Sequence, residues 1–177
     1  RRPKLRDKLA VMHGRYIKSD SDDKKTFHFA RDELGLLVDF MAELFNKEGH
    51  VLIGVRGMPR VGKTESIVAA SVCANKRWLF LSSTMLKQTI RKQLLKEEYD
   101  SNHIYIIDGI VSATRAGEEH WQLIREVMKI PTVKVIEHPD IFVKQTEYSI
   151  EDFDYMIELR HNKDEEITYE RFEKQQF

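Results

Sequence analysis

One cysteine, Cys73, stands among 177 residues, so no internal disulfide can form and nothing ties the chain to an oxidising compartment. Cys73 falls in an apolar helical stretch and is expected to be a buried small hydrophobe rather than a reactive thiol. Charge of one sign is not in excess: Lys+Arg and Asp+Glu are each 29, for a formal net charge of zero. That balance excludes a global basic surface built for nucleic acid and an acidic solvating tail, while leaving a local basic face open. Long hydrophobic runs are missing too. No segment approaches a membrane span and no signal peptide is visible, so no membrane partner and a cytoplasmic location are expected. There is no internal repeat and no low-complexity segment. What remains, 41% apolar and 33% charged residues, is the make-up of a globular domain large enough to bury a core without metals or disulfides.

The chain opens on Arg1-Arg2-Pro3 without methionine, as a piece of a longer protein would. Its start is polar. Arg1, Arg2, Lys4, Arg6 and Lys8 are basic, and Ser19-Asp20-Ser21-Asp22-Asp23-Lys24-Lys25 has no apolar face to bury. A polar arm over residues 1–30, followed by a single domain over 31–177, is the expected organisation. Residues 31–47 then follow a helical period, with Leu34, Leu37, Val38, Met41, Leu44 and Phe45 on one stripe.

After Gly49 the pattern changes. Val51-Leu52-Ile53-Gly54-Val55 is a short, nearly continuous apolar run, as in a parallel strand covered on both faces. A helix is predicted from Lys63 to Ala74, a second buried strand at 78–81, and a basic amphipathic helix over 85–97. A third strand is predicted at 104–107, a helix at 118–129, and a fourth strand at 132–136. Helices are predicted at 153–159 and 166–174. Strands alternating with helices define an α/β class: a three-layer α/β/α sandwich on a mostly parallel sheet.

The first turn after the first strand carries the chemistry. Gly57-Met58-Pro59-Arg60-Val61-Gly62-Lys63-Thr64 fits G-x-x-x-x-G-K-[ST], and Glu65 follows in the first helical turn. Glycines let the backbone turn its N–H groups inward, and the helix N-terminus adds positive potential for a phosphate. Lys63 is placed for the β- and γ-phosphates, and the Thr64 hydroxyl for magnesium. Residues 57–65 are thus the candidate nucleotide site. A second magnesium partner is expected at the carboxyl end of a neighbouring strand. Asp108 stands out as the acidic residue directly ending a buried strand, though it could instead cap the next helix. Thr64 and Asp108 are therefore the candidate metal residues. ATP with Mg2+ is the expected ligand pair, since the guanine-reading N-K-x-D pattern is absent.

On the loop and Asp108, the stretch 50–110 resembles Walker-type phosphate-loop NTPases, and two subfamilies compete. Gly57-Met58-Pro59, the Ser82-Ser83-Thr84 turn with Lys87 after it, Ile107-Asp108-Gly109, and Arg160 are similar to small nucleotide kinases. That resemblance implies a phosphotransferase moving the γ-phosphate to a small acceptor. It assigns Lys63, Asp108 and Arg115 to catalysis, with Ser82, Ser83 and Thr84 facing the acceptor. Pro59-Arg60-Val61-Gly62-Lys63-Thr64 and the preceding helix resemble the additional-strand ATPases, AAA-like and signalling modules among them. Those carry a glutamate after the strand-ending aspartate to polarise water, whereas this chain has Gly109; Glu118 and Glu119 lie further on. The missing glutamate ranks the kinase first. Sheet order separates the two: in kinases the aspartate strand neighbours the loop strand, while in the ATPases another strand lies between them.

Other chemistries find less support. The seven histidines are scattered without an H-x-x-x-H pair, so a structural zinc site is not expected. No Gly-x-Ser-x-Gly elbow is present, and Cys73 has no histidine nearby. Helix 85–97, with Lys87, Arg91, Lys92 and Lys96, has the charge to lie along nucleic acid, but a solvated basic face is the favoured expectation.

Overall fold

The computed structural model describes residues 26–81, 102–114 and 117–168. Six strands and five α-helices are formed there. They run β1 (Thr26–Ala30), α1 (Leu34–Phe45), β2 (Val51–Gly57), α2 (Lys63–Cys73), β3 (Arg77–Phe80) and β4 (His103–Asp108). The order continues with α3 (Gly109–Thr114), α4 (Glu118–Met128), β5 (Val133–Glu137), α5 (Pro139–Gln145) and β6 (Tyr155–Arg160). All pairings are parallel, in the order β1-β6-β2-β5-β4-β3.

Strand alternation divides the core between the two faces of this sheet. Ile53, Val55, Ile104, Ile106, Val133, Val135, Ile157 and Leu159 join Leu37, Phe40, Met41, Leu44 and Phe45 of α1 and Ile67 and Ala70 of α2. Leu52, Tyr105, Ile107, Ile136 and Met156 turn the other way, onto Leu123, Ile124 and Val127 of α4 and Phe142 of α5. With helices on both faces, the expected three-layer α/β/α sandwich is the observed fold. Among the described residues no helix is long and apolar enough to cross a membrane.

Five local expectations need correction. The polar arm does not extend to residue 30: Thr26–Ala30 pairs with β6 as an edge strand, and Phe27 and Phe29 are buried in the core. The helix expected at 153–159 is the strand β6, lying between β1 and β2. Met156, Ile157, Glu158 and Leu159 favour helix locally, but burial against both sheet neighbours and both faces outweighs a propensity difference of a few tenths of a kcal/mol per residue. The second strand is an edge rather than a buried strand, with Arg77 and Trp78 exposed. Cys73 is exposed as well, because it closes α2 on the side away from Ser71 and Ala74. The helix expected over 85–97 lies outside the described residues, as do residues 169–177 of the last one; residues 166–168 are not helical.

Candidate functional site

β2 delivers its C-terminal end to the 57–64 loop, and α2 leaves from it. The loop turns on two residues with left-handed backbone, Arg60 (φ 64°) and Gly62 (φ 108°). A Cβ at Gly62 would be strained by that φ. Val61 is fully buried and anchors the turn, while Pro59 and Arg60 are exposed at its crest. Lys63 folds back into the loop, its Nζ donating to the carbonyls of Gly57 (2.6 Å) and Met58 (3.0 Å). Burial draws this lysine below its usual range, against the opposing pull of the Glu137, Asp108, Glu65 and Glu165 carboxylates. The first turn of α2 holds Lys63, Thr64 and Glu65, whose N–H groups belong to the end of a helix that has no intrahelical acceptor for them.

Thr64 faces an acid, but not the expected one. Its Oγ1 donates to Oε1 of Glu137 at 2.9 Å. Glu137 ends β5, in register with Asp108 at the end of β4, and the Asp108 charge acts on the Glu137 carboxyl. Asp108 also has a structural duty, since its Oδ1 accepts from the N–H groups of Ile110 (2.9 Å) and Val111 (3.1 Å) and so caps α3. Burial first, and then the adjacent Asp108, push the Glu137 carboxyl up to about 7, against the pull of Thr64 and Lys63. Neighbouring acids of this kind favour a proton or a cation between them. A hydroxyl and two carboxylates are the hard oxygen donors that magnesium takes from a protein when phosphates complete its shell. The residues present therefore fit that ion. Among the described residues there is no group of three or more His, Cys, Asp or Glu side chains able to hold a metal.

The surrounding backbone is tight. His138, next after Glu137, adopts a left-handed conformation (φ 57°) at the start of α5, and its N–H donates to the carbonyl of Val55 on β2 (3.2 Å). Burial holds its imidazole down at about 4, with Lys63 acting the same way against Asp108 and Asp140. On the other side, the segment after β6 passes the loop: the N–H of Thr168 approaches the Met58 sulfur at 3.5 Å.

The structure places Lys63, Thr64 and Glu65 at the start of α2, directly after the 57–62 turn, with Asp108 at the end of β4 acting on Lys63 and with Thr64 bonded to Glu137 instead of Asp108. Arg115, Ser82, Ser83, Thr84, Lys87 and Arg91 lie outside the described residues. Arg160 is committed elsewhere, to Glu158 (2.7 Å) and the carbonyl of Glu165 (2.9 Å). Arg125 pairs with Glu118 on an exposed helix face (3.1 Å). Glu137 was missed because the fourth apolar run was ended at Ile136; Asp108 is not alone in ending a buried strand.

The loop, the lysine and the two acids all lie at the carboxyl ends of the parallel strands. The chain belongs to the family described as "Protein of unknown function (DUF3388)", whose profile matches residues 1–177. It is 69% identical over 176 residues to the "Uncharacterized protein YmfK" of Bacillus subtilis (strain 168). That match takes in 99% of this chain but only 65% of the relative's length.

Proposed function

We propose that this chain binds ATP with magnesium at the 57–64 loop and hydrolyses it, as an ATPase module of a longer protein. The observation that carries the reading is the closed loop around the Lys63 ammonium, opposite Thr64 and the Asp108–Glu137 pair. Lys63 exchanges two carbonyl acceptors for the β- and γ-phosphates, and the amides at the start of α2 receive the remaining phosphate oxygens. Thr64, Asp108 and Glu137 hold the magnesium. When bound, that ion neutralises charge on the β- and γ-phosphate oxygens.

Sheet order favours the ATPase over the small kinase. β5 lies between the loop strand β2 and the Asp108 strand β4, where the kinase resemblance calls for direct neighbours. Phosphotransfer to a small acceptor stands as the second reading, favoured by Gly57-Met58-Pro59 and by the glycine at position 109. One experiment separates them: nucleotide affinity and phosphate release with Mg2+ for the native chain and Lys63→Ala, with and without nucleosides, nucleotides or DNA. Phosphate release without an acceptor, lost in Lys63→Ala, supports the ATPase. Turnover that requires a small acceptor supports the kinase. Failure to bind ATP refutes both.

A further inference from the structure

At the other end of the strands from the loop lies a cavity of about 330 Å³. The starts of β2 and β5 wall it with Val51, Leu52 and Lys134, and Met128 closes it from the end of α4. Tyr148, beyond α5, forms a further wall, its ring stacked on buried Phe142 with centroids 5.9 Å apart. Small-molecule sites have volumes of about 300–1,000 Å³, so the space suits a small ligand.

Lys134 is the group here without an obvious structural reason. It is 2% exposed, yet it forms no ion pair with a carboxylate among the described residues. Its Nζ donates to the carbonyl of Ile130, just past α4, and contacts Nδ1 of His50 at 3.1 Å. Neither partner is an anion, and a buried ammonium is normally paired with one. Asp154 acts on Lys134, but its carboxylate is engaged by the N–H of Leu52 at 2.8 Å. Asp152, on the rim, is engaged by the N–H of Ser149 at 2.8 Å. Burial accordingly draws the Lys134 amine down to about 8, against Asp154.

One acid on the same cavity is uncommitted. Glu147 is exposed and makes no hydrogen bond or ion pair among the described residues. Val51, Leu52, Met128 and the Tyr148 ring supply apolar wall. A cation and an anion that both lack a counter-charge, in one partly apolar cavity, are complementary to a zwitterion with an apolar body.

We propose that this cavity binds a small α-amino acid with an apolar side chain. Its carboxylate meets the Lys134 ammonium, its ammonium meets Glu147, and its side chain lies against Leu52, Met128 and Tyr148. Binding is non-covalent and does not require nucleotide at the loop.

Isothermal titration calorimetry tests this with leucine, methionine and phenylalanine. Each is run beside the matching carboxylic acid that lacks the amine and the matching amine that lacks the carboxyl group. At least one of the three should bind the native chain with a Kd below about 1 mM. Its carboxyl-free amine should bind at least about tenfold more weakly, and its amine-free acid about threefold more weakly. Lys134→Met, which keeps the length of the stem, should lose about tenfold or more in affinity for the amino acid. Glu147→Gln should lose about threefold for the amino acid and nothing for the amine-free acid. Circular dichroism checks that each variant is folded. Should Lys134→Met not fold, the native chain with the amine and the exposed Glu147→Gln carry the test. No amino acid bound below about 1 mM, an amine that binds as well as its amino acid, or native affinity in either variant overturns the proposal.

Discussion

Replacing Gly109 by alanine tests the packing on which the site depends. Gly109 opens α3, and its φ is not positive, so alanine suits the backbone. Stiffening the unfolded chain would by itself gain about 0.4–1 kcal/mol. The added methyl instead meets three backbone atoms of the β5–α5 junction, the nearest the His138 carbonyl oxygen at 2.5 Å, and a backbone cannot swing aside as a side-chain tip can. Overpacking of this kind costs about 1–3 kcal/mol, and contact on three sides puts it near the upper end. The net loss should be about 2 kcal/mol, or about 4–8 °C of melting temperature at this chain length. Gly35→Ala is the internal control. It lies in the first turn of α1 with nothing within 4 Å of its would-be Cβ, and should gain up to about 1 kcal/mol. Urea unfolding monitored by circular dichroism, with equal slopes required, reads both variants. If Gly109→Ala stays within about 0.5 kcal/mol of the native chain, the junction yields, and the claim that position 109 is closed is refuted. The same contact predicts that Gly109→Glu destabilises the fold as well.

Three further outcomes follow from the charged groups. The Glu137 carboxyl is raised from 4.5 to about 7, so its ionisation costs nothing below pH 4.5 and progressively more as pH rises through 7. Without divalent cation, Glu137→Gln should therefore gain on the native chain between pH 4.5 and 8, by up to about 3 kcal/mol, in urea titrations at the two ends; the opposite slope from His138 is common to both proteins. Burial raises the Glu158 carboxyl, but His28 and Arg160 outweigh it and hold it at about 2, so its contribution is present above pH 4.5 and lost as pH falls toward 2. Glu158→Gln should flatten that acid limb in circular dichroism. Arg56 grips Asp140 through Nε (2.8 Å) and Nη2 (2.9 Å) and Glu158 through Nη1 (3.1 Å). Arg56→Lys cannot reproduce that fork and should cost about 1–3 kcal/mol in equilibrium unfolding.

Much of the fold was legible because the sheet is parallel. Strands buried on both faces read as nearly continuous apolar runs: 51–55 and 104–107 fall within β2 and β4, and 132–136 overlaps β5 over 133–136. The failures share one physical origin. β6 is written in residues that also suit a helix, and β1 is a five-residue edge strand whose Phe27 and Phe29 alternate with Thr26 and His28 beside a charged run. In both, the strand state comes from neighbours remote in sequence, since β1 pairs with β6 across more than a hundred residues. Trp78 shows the converse: apolar composition suggested burial, while the sheet order left it on an edge.

The site divides along the same line. The turn and helix start at residues 57–65 were legible because such a loop is a local device, its turns consecutive in the chain. The partner of Thr64 was not. A spacing motif records what is adjacent along the backbone, whereas the acid facing Thr64 is chosen by which strand lies beside β2 and by where that strand stops. Ending the fourth apolar run one residue early hid Glu137 and left Asp108 to be assigned alone. With β5 inserted between β2 and β4, and with the His138 carbonyl pressed against Gly109, the two observations are one. The turn from β5 into α5 shuts position 109, and the last residue of β5 presents its carboxylate to Thr64.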